Sequence, residues 1–174
     1  MDRYKYADKL TKQARVDSGV KNGANWLFAI GGLSIVNTLL TGFGFKFNFI
    51  VGLGITGLLD TVFFEPSRAN FIFFFINLIL NIMISSAFFI LAVYAKKAQV
   101  WAFIFAMIFY GFDTLLISLA EIWSAVIFHI IGLVGIFLGY KSLRALEYSN
   151  ARELIELERS MQENPQLYKK NTRL

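Results

Sequence analysis

The sequence contains no cysteine, and its middle contains almost no charge. Without a thiol there is no thiol–disulfide exchange, no thiolate metal site and no Fe–S ligation, and cysteine usage gives no clue to the compartment. Histidine is nearly absent as well. His129 stands alone, so a metal-ligand spacing such as H-x-x-x-H does not occur. Nine charged residues fall in residues 1–22 and twelve in 141–174, which leaves eight for the 118 residues between. A soluble domain of this size needs polar side chains along its whole length. The uncharged runs 24–45, 69–95 and 98–112 instead approach or exceed the roughly 20 apolar residues that cross a hydrocarbon layer. Soluble enzymes, disordered tails and β-barrels are thereby excluded, and an all-α multi-pass membrane protein is expected.

The formal net charge of +5 would suggest nucleic acid in a soluble protein, but here the basic residues flank apolar stretches and read as topology signals. No nucleic-acid partner is expected. Residues 1–21 are too long and too mixed in charge for a signal-peptide n-region, and no small-residue cleavage site follows, so the first span is expected to be kept.

Hydropathy marks five apolar segments, at about 24–44, 47–64, 70–95, 100–119 and 122–140. The distribution of Lys and Arg decides how many cross, because cytoplasmic loops hold the excess of positive charge. Five crossings would put seven basic residues inside and ten outside. If 47–64 does not cross, the inside collects six from the N-terminal tail, Lys96, Lys97 and seven from the C-terminal tail, while the outside keeps only Lys46 and Arg68. Four spans with both termini cytoplasmic are therefore expected. Segment 47–64 becomes a Gly-rich re-entrant or interfacial element on the outer face, weakened as a helix by Gly52, Gly54 and Gly57 and closed by Asp60, Glu65 and Pro66. Gly31, Gly32, Ser34, Gly132, Gly135 and Gly139 read as close-packing surfaces between helices.

The tails are helical by pattern. Residues 1–22 form a cytoplasmic amphipathic segment suited to the anionic inner leaflet. Residues 141–174 continue the fourth span as a cytoplasmic helix, with Leu143, Leu146, Leu154, Leu157 and Met161 on one side, until Pro165. Asn150 interrupts the apolar spacing, which argues against a long coiled coil and for a short helix that docks on a partner.

Ionisable residues inside a span cost about 2.5–3.5 kcal/mol for Asp on insertion scales and count as functional-site hypotheses. Asp113 lies eight residues before the outer turn at Glu121 and His129 eight after it, so an antiparallel hairpin brings both to one depth. Asn37 and Asn77 reach the same level from the first two spans, with Asn81 and Ser85 continuing the latter face. Tyr110 lies one turn from Asp113, and Asp60 could approach from the outer element. Three readings of this layer stand open. It is an interhelical hydrogen-bond network, a route or site for a proton, ion or small polar solute, or a metal or hydrolytic centre built on Asp113, His129 and Asp60. No cofactor is legible, and Ser34 and Ser118 lack the flanking signature of a nucleophile.

The stretches Gly23–Ala24–Asn25–Trp26, Leu33–Ser34 with Asn37, Gly52–Leu53–Gly54 leading to Asp60, Tyr110–Gly111–Phe112–Asp113 and Phe128–His129 resemble a group of small uncharacterised bacterial multi-pass membrane proteins. The resemblance covers about 23–145. It implies a bacterial inner-membrane location and carries no activity or functional residues with it.

The expectation is a four-transmembrane-helix bundle (23–140) that acts as a non-enzymatic accessory or scaffold protein. It would bind the lipid bilayer, a second copy or subunits of a membrane complex through its helix faces and its C-terminal helix. The alternatives are a small transporter or channel-like protein with an Asp/His polar route, and a metal-dependent membrane enzyme. A chain of 174 residues leaves little interior for a self-contained transporter.

Overall fold

The computed structural model describes residues 3–45 and 52–163, and these form six helices with no strand among them. They are α1 (Arg3–Val16), α2 (Ser18–Gly42), α3 (Gly54–Ala69), α4 (Phe71–Lys96), α5 (Val100–Leu119) and α6 (Trp123–Glu163). Residues 46–51, with Lys46 and the start of the Gly-rich element, lie outside the described residues, as do 164–174 with Pro165.

Each boundary has a local cause. Asp17 is extended (φ −64°, ψ 124°) and its carboxylate accepts from Val20 N at 2.9 Å, so α2 begins at Ser18, ahead of the apolar stretch 24–44. Asn70 ends α3 in an extended conformation and starts α4, its side chain accepting from Ile72 N at 2.9 Å. Ala98 (φ 61°) and Glu121 (φ 59°) turn the chain in the left-handed region at the α4–α5 and α5–α6 corners. One expectation needs correction. Pro66 does not close the Gly-rich element, because α3 runs through it to Ala69. Proline removes only its own N–H, and its carbonyl still accepts from Asn70 N at 2.9 Å.

Helices α2, α4, α5 and α6 are each long and apolar enough to cross a membrane. α2 packs on α4 and α6, and α5 packs on α6 and α4, so each of the four touches two others. The interior between them is filled by Leu27, Ile30, Phe103, Tyr110, Ile136 and Leu143, all fully buried. Outward faces carry Phe71, Ile72, Met83, Phe112 and Leu119, each more than 60 % exposed, a surface that water would not tolerate and lipid would. α2 and α6 cross in direct backbone contact, since a Cβ on Gly23 would lie 2.5 Å from Gly139 Cα. Gly135 admits the Trp26 indole and Gly132 the Tyr110 ring in the same way.

The remaining helices pack on this frame. α3 lies against α2, α4 and α5. At about 1.5 Å per residue α6 is roughly 60 Å long, twice a hydrocarbon layer, and its second half carries the charged residues from Lys141 onward. α1 returns along that half: Lys9 pairs with Glu153, and Asn150 Nδ2 donates to Gln13 Oε1 at 2.6 Å.

Candidate functional site

The first turn of a helix has backbone N–H groups without intrahelical acceptors. Those of α3 are buried at Leu53 and Thr56 and partly buried at Gly54 and Ile55, and the residue at its N-cap position, Leu53, has no side chain able to cap them. Two other helices supply the acceptors. Ser34 Oγ on α2 accepts from Leu53 N at 2.6 Å and donates to Ile30 O at 2.8 Å. Asp113 on α5 accepts from Gly54 N through Oδ2 (2.7 Å) and from Ile55 N through Oδ1 (2.9 Å). A carboxylate at a helix N-terminus is favoured by both the hydrogen bonds and the helix dipole. Close approach requires glycine, because a Cβ on Gly54 would lie 2.3 Å from Ile117 Cγ1.

His129 completes this centre from α6. Its Nδ1 lies 2.8 Å from Ala125 O, which can only accept, so Nδ1 carries a hydrogen. Its Nε2 lies 3.1 Å from Asp113 Oδ2, a contact that needs one proton on either partner. The Asp113–His129 pair is therefore neutral as a unit. Tyr110 stacks on the imidazole at 4.7 Å between ring centroids and 21° between planes, and Phe88 meets Tyr110 edge-on at 6.1 Å.

The second carboxylate has different company. Asp60, in the middle of α3 and 4 % exposed, accepts from Asn77 Nδ2 (2.8 Å) and Asn81 Nδ2 (3.1 Å) through Oδ1, and from Thr38 Oγ1 (3.2 Å) through Oδ2. Asn81 Nδ2 also reaches Asn77 Oδ1 at 2.9 Å and Asn77 O at 3.1 Å. All three donors are neutral. Among the described residues no Lys, Arg or His pairs with Asp60. Asn81 Oδ1 and Ser85 Oγ, one turn apart on α4, are buried without a hydrogen-bond partner.

Five of the six residues singled out from sequence thus fall into two centres on α3. Asp113, His129 and Tyr110 gather at its first turn, and Asp60 with Asn77 further along. Asn77 belongs with Asp60, not with Asp113. Asn37 is buried beside the chain entering α3, where a Cβ on Gly52 would lie 2.8 Å from Asn37 Nδ2. Asp60 also lines two cavities. One of about 250 Å³, between α3, α5 and α6, is walled by Leu53, Leu58, Leu116 and Ile117 with Asn37, Asp60 and His129. The other, about 410 Å³, is lined by Thr41, Asp60, Ser67, Phe74 and Asn77. Among the described residues no three of His, Asp or Glu are grouped to hold a metal ion, so Asp60 does not join Asp113 and His129 as a ligand set.

Ser34 and Thr38 were not among the candidate residues, although their i, i+4 spacing sets them on one face of α2 with Ile30. That spacing was the available signal. The backbone donors of Leu53, Gly54 and Ile55 had none. Comparison with protein-family models, curated proteins and solved structures finds no match to this chain.

Proposed function

We propose that the chain is a small integral membrane scaffold or accessory protein, without enzymatic activity, whose buried polar residues hold its helices in register. α2, α4, α5 and α6 are the four spans of a bundle. α3 is a re-entrant helix that starts at the depth of Asp113, roughly 9 Å inside the outer end of α5, and climbs to the outer surface at Asn70. The observation that carries this reading is the capping of α3. Irregular backbone at membrane depth is tolerated only where protein satisfies it, and Leu53, Gly54 and Ile55 each donate to a side chain of α2 or α5.

Both termini lie on the cytoplasmic side in this reading. Arg15, Lys21 and Lys96 converge with Asn25 on a cavity of about 230 Å³ at the end of the molecule opposite the Glu121 turn, as positive-inside topology requires and as anionic headgroups favour. The bacterial inner membrane is the location the sequence resemblance implies. α1 occupies part of the cytoplasmic face of α6. Past Asn150, Leu154, Leu157 and Met161 are half-exposed and Ile155 is exposed, which leaves apolar surface for a partner helix or a second copy.

The cavity between Asp60 and His129 favours a second reading, a small transporter or channel-like protein with a polar route past α3. Reconstitution into liposomes with a trapped pH dye separates the two. The scaffold reading expects proton flux equal to that of protein-free vesicles. A flux that is lost in Asp60→Asn would replace it with the route.

A further inference from the structure

We infer that Asp60, with Asn77, Asn81 and Thr38, forms a binding site for a monovalent metal cation of the size of sodium. The inference starts from a difference between the two buried carboxylates. Asp113 has its compensating proton in the His129 contact and the positive end of α3 beside it. Asp60 has only two amides and a hydroxyl. An uncompensated carboxylate in a low-dielectric interior must take up a proton or a cation, and each of the three side chains that now donate to Asp60 also carries an oxygen.

Hard cations are held by carboxylate, amide and hydroxyl oxygens. Thr38 Oγ1 already touches Asp60 Oδ2, and Asn77 brings both its side-chain and its backbone oxygen to the cluster. Asn81 Nδ2 sits between Asp60 Oδ1 (3.1 Å) and Asn77 Oδ1 (2.9 Å), while its own Oδ1 is buried and unpartnered. A half-turn of that amide costs Oδ1 no bond and exchanges the Nδ2 contacts with Asp60 and Asn77 for an oxygen at the same place, where a bound cation would take over their role. Two amide oxygens then stand beside one carboxylate oxygen of Asp60, with the Thr38 hydroxyl beside the other. Ser85 Oγ, also unpartnered, lies one turn further along the same face. The cavity of about 410 Å³ lined by Asp60 and Asn77 gives the ion a way in.

The other groups around Asp60 do not compete for the role. α2 presents Thr38, α4 presents Asn77 and Asn81, and among the described side chains the further titratable group facing it is His129, across the smaller cavity and already engaged with Asp113. Bound sodium replaces the proton that would otherwise neutralise Asp60, so sodium affinity falls as pH falls. The site needs only the packing of α2, α3 and α4 and stands whether the chain is a scaffold or a route.

The test is thermal unfolding of the purified full chain in detergent, titrating NaCl against choline chloride at constant ionic strength, with KCl and LiCl series beside it. The wild-type protein is expected to show a saturable, ion-selective rise in Tm, about 3–6 °C at a sodium concentration about ten times the Kd. Saturation is expected near one radioactive sodium ion per chain in equilibrium dialysis. Asp60→Asn should abolish the rise. Thr38→Val, which removes one oxygen at constant volume, should weaken sodium binding about tenfold and carries the test if Asp60→Asn does not assemble. No sodium-selective shift in the wild-type protein overturns the inference, as does a shift that persists unchanged in either variant.

Discussion

Asp113 receives two backbone donors and one imidazole, so its substitutions separate charge from hydrogen bonding. Asp113→Ala leaves the buried His129 and two part-buried N–H groups without an acceptor and is expected to destabilise the protein by about 3–5 kcal/mol, read from unfolding in mixed micelles. Asp113→Asn keeps one acceptor and should cost about 1–3 kcal/mol. If His129 acts through Asp113, His129→Ala and Asp113→Ala together should cost less than the sum of the two, and strict additivity would show that the 3.1 Å contact contributes nothing. The Asp113–His129 meeting was legible in sequence because a tight turn at Glu121 imposes equal depth on residues equidistant from it. The partnership of Asp60 with Asn77 was not, since it depends on how far α3 climbs beside α4. Ser34 was hidden for another reason. Small polar residues are common at helix interfaces, and nothing in its neighbours announces that it caps a helix nineteen residues away.

The long helices were readable from hydropathy, and their ends only partly so. α5 spans the expected 100–119, whereas α2 starts early because of Asp17, and α3 ignores Pro66 because its real stop is Asn70. The α2–α6 crossing gives a direct prediction. Gly139→Leu drives side-chain atoms into the Gly23 backbone and should cost about 1–3 kcal/mol, with the mirror change Gly23→Leu equivalent; unaffected stability would mean the two backbones are not in contact. At the α5–α6 corner Glu121 holds φ 59°, so Glu121→Gly should raise stability by about 0.5–1 kcal/mol in the same assay. In the second half of α6 Asn150 did interrupt the apolar spacing. The reason is its bond to Gln13 of α1. Asn150→Ala should therefore loosen α1 and speed trypsin cleavage after Lys12 or Arg15, and an unchanged cleavage rate would count against that docking.

For the molecule as a whole, the count of eight charges in 118 residues pointed to four spans among five apolar segments, and four helices are long and apolar enough to cross a membrane while the apolar part of α3 is shorter. What the count could not supply was the reason a polar-ended helix can sit among those spans. That reason is non-local: acceptors from α2 and α5 meet the first turn of α3, and donors from α2 and α4 meet Asp60, all from residues far apart in sequence. Native cysteine is absent, so single introduced thiols report cleanly. Glu121→Cys should react with an impermeant maleimide from outside the cell and Lys97→Cys only after permeabilisation. The most direct measurement of the central claim, that Asp113 pins α3 within the bundle, uses Thr56→Cys, at a fully buried position in the first turn of α3. Reaction with a permeant maleimide is compared with and without Asp113→Ala, and Ala92→Cys, equally buried in α4, monitors global unfolding. The expected result is a thiol at position 56 that is protected in the parent and reactive with Asp113→Ala, while the thiol at 92 stays protected in both; equal protection at 56 with and without Asp113 would contradict the account.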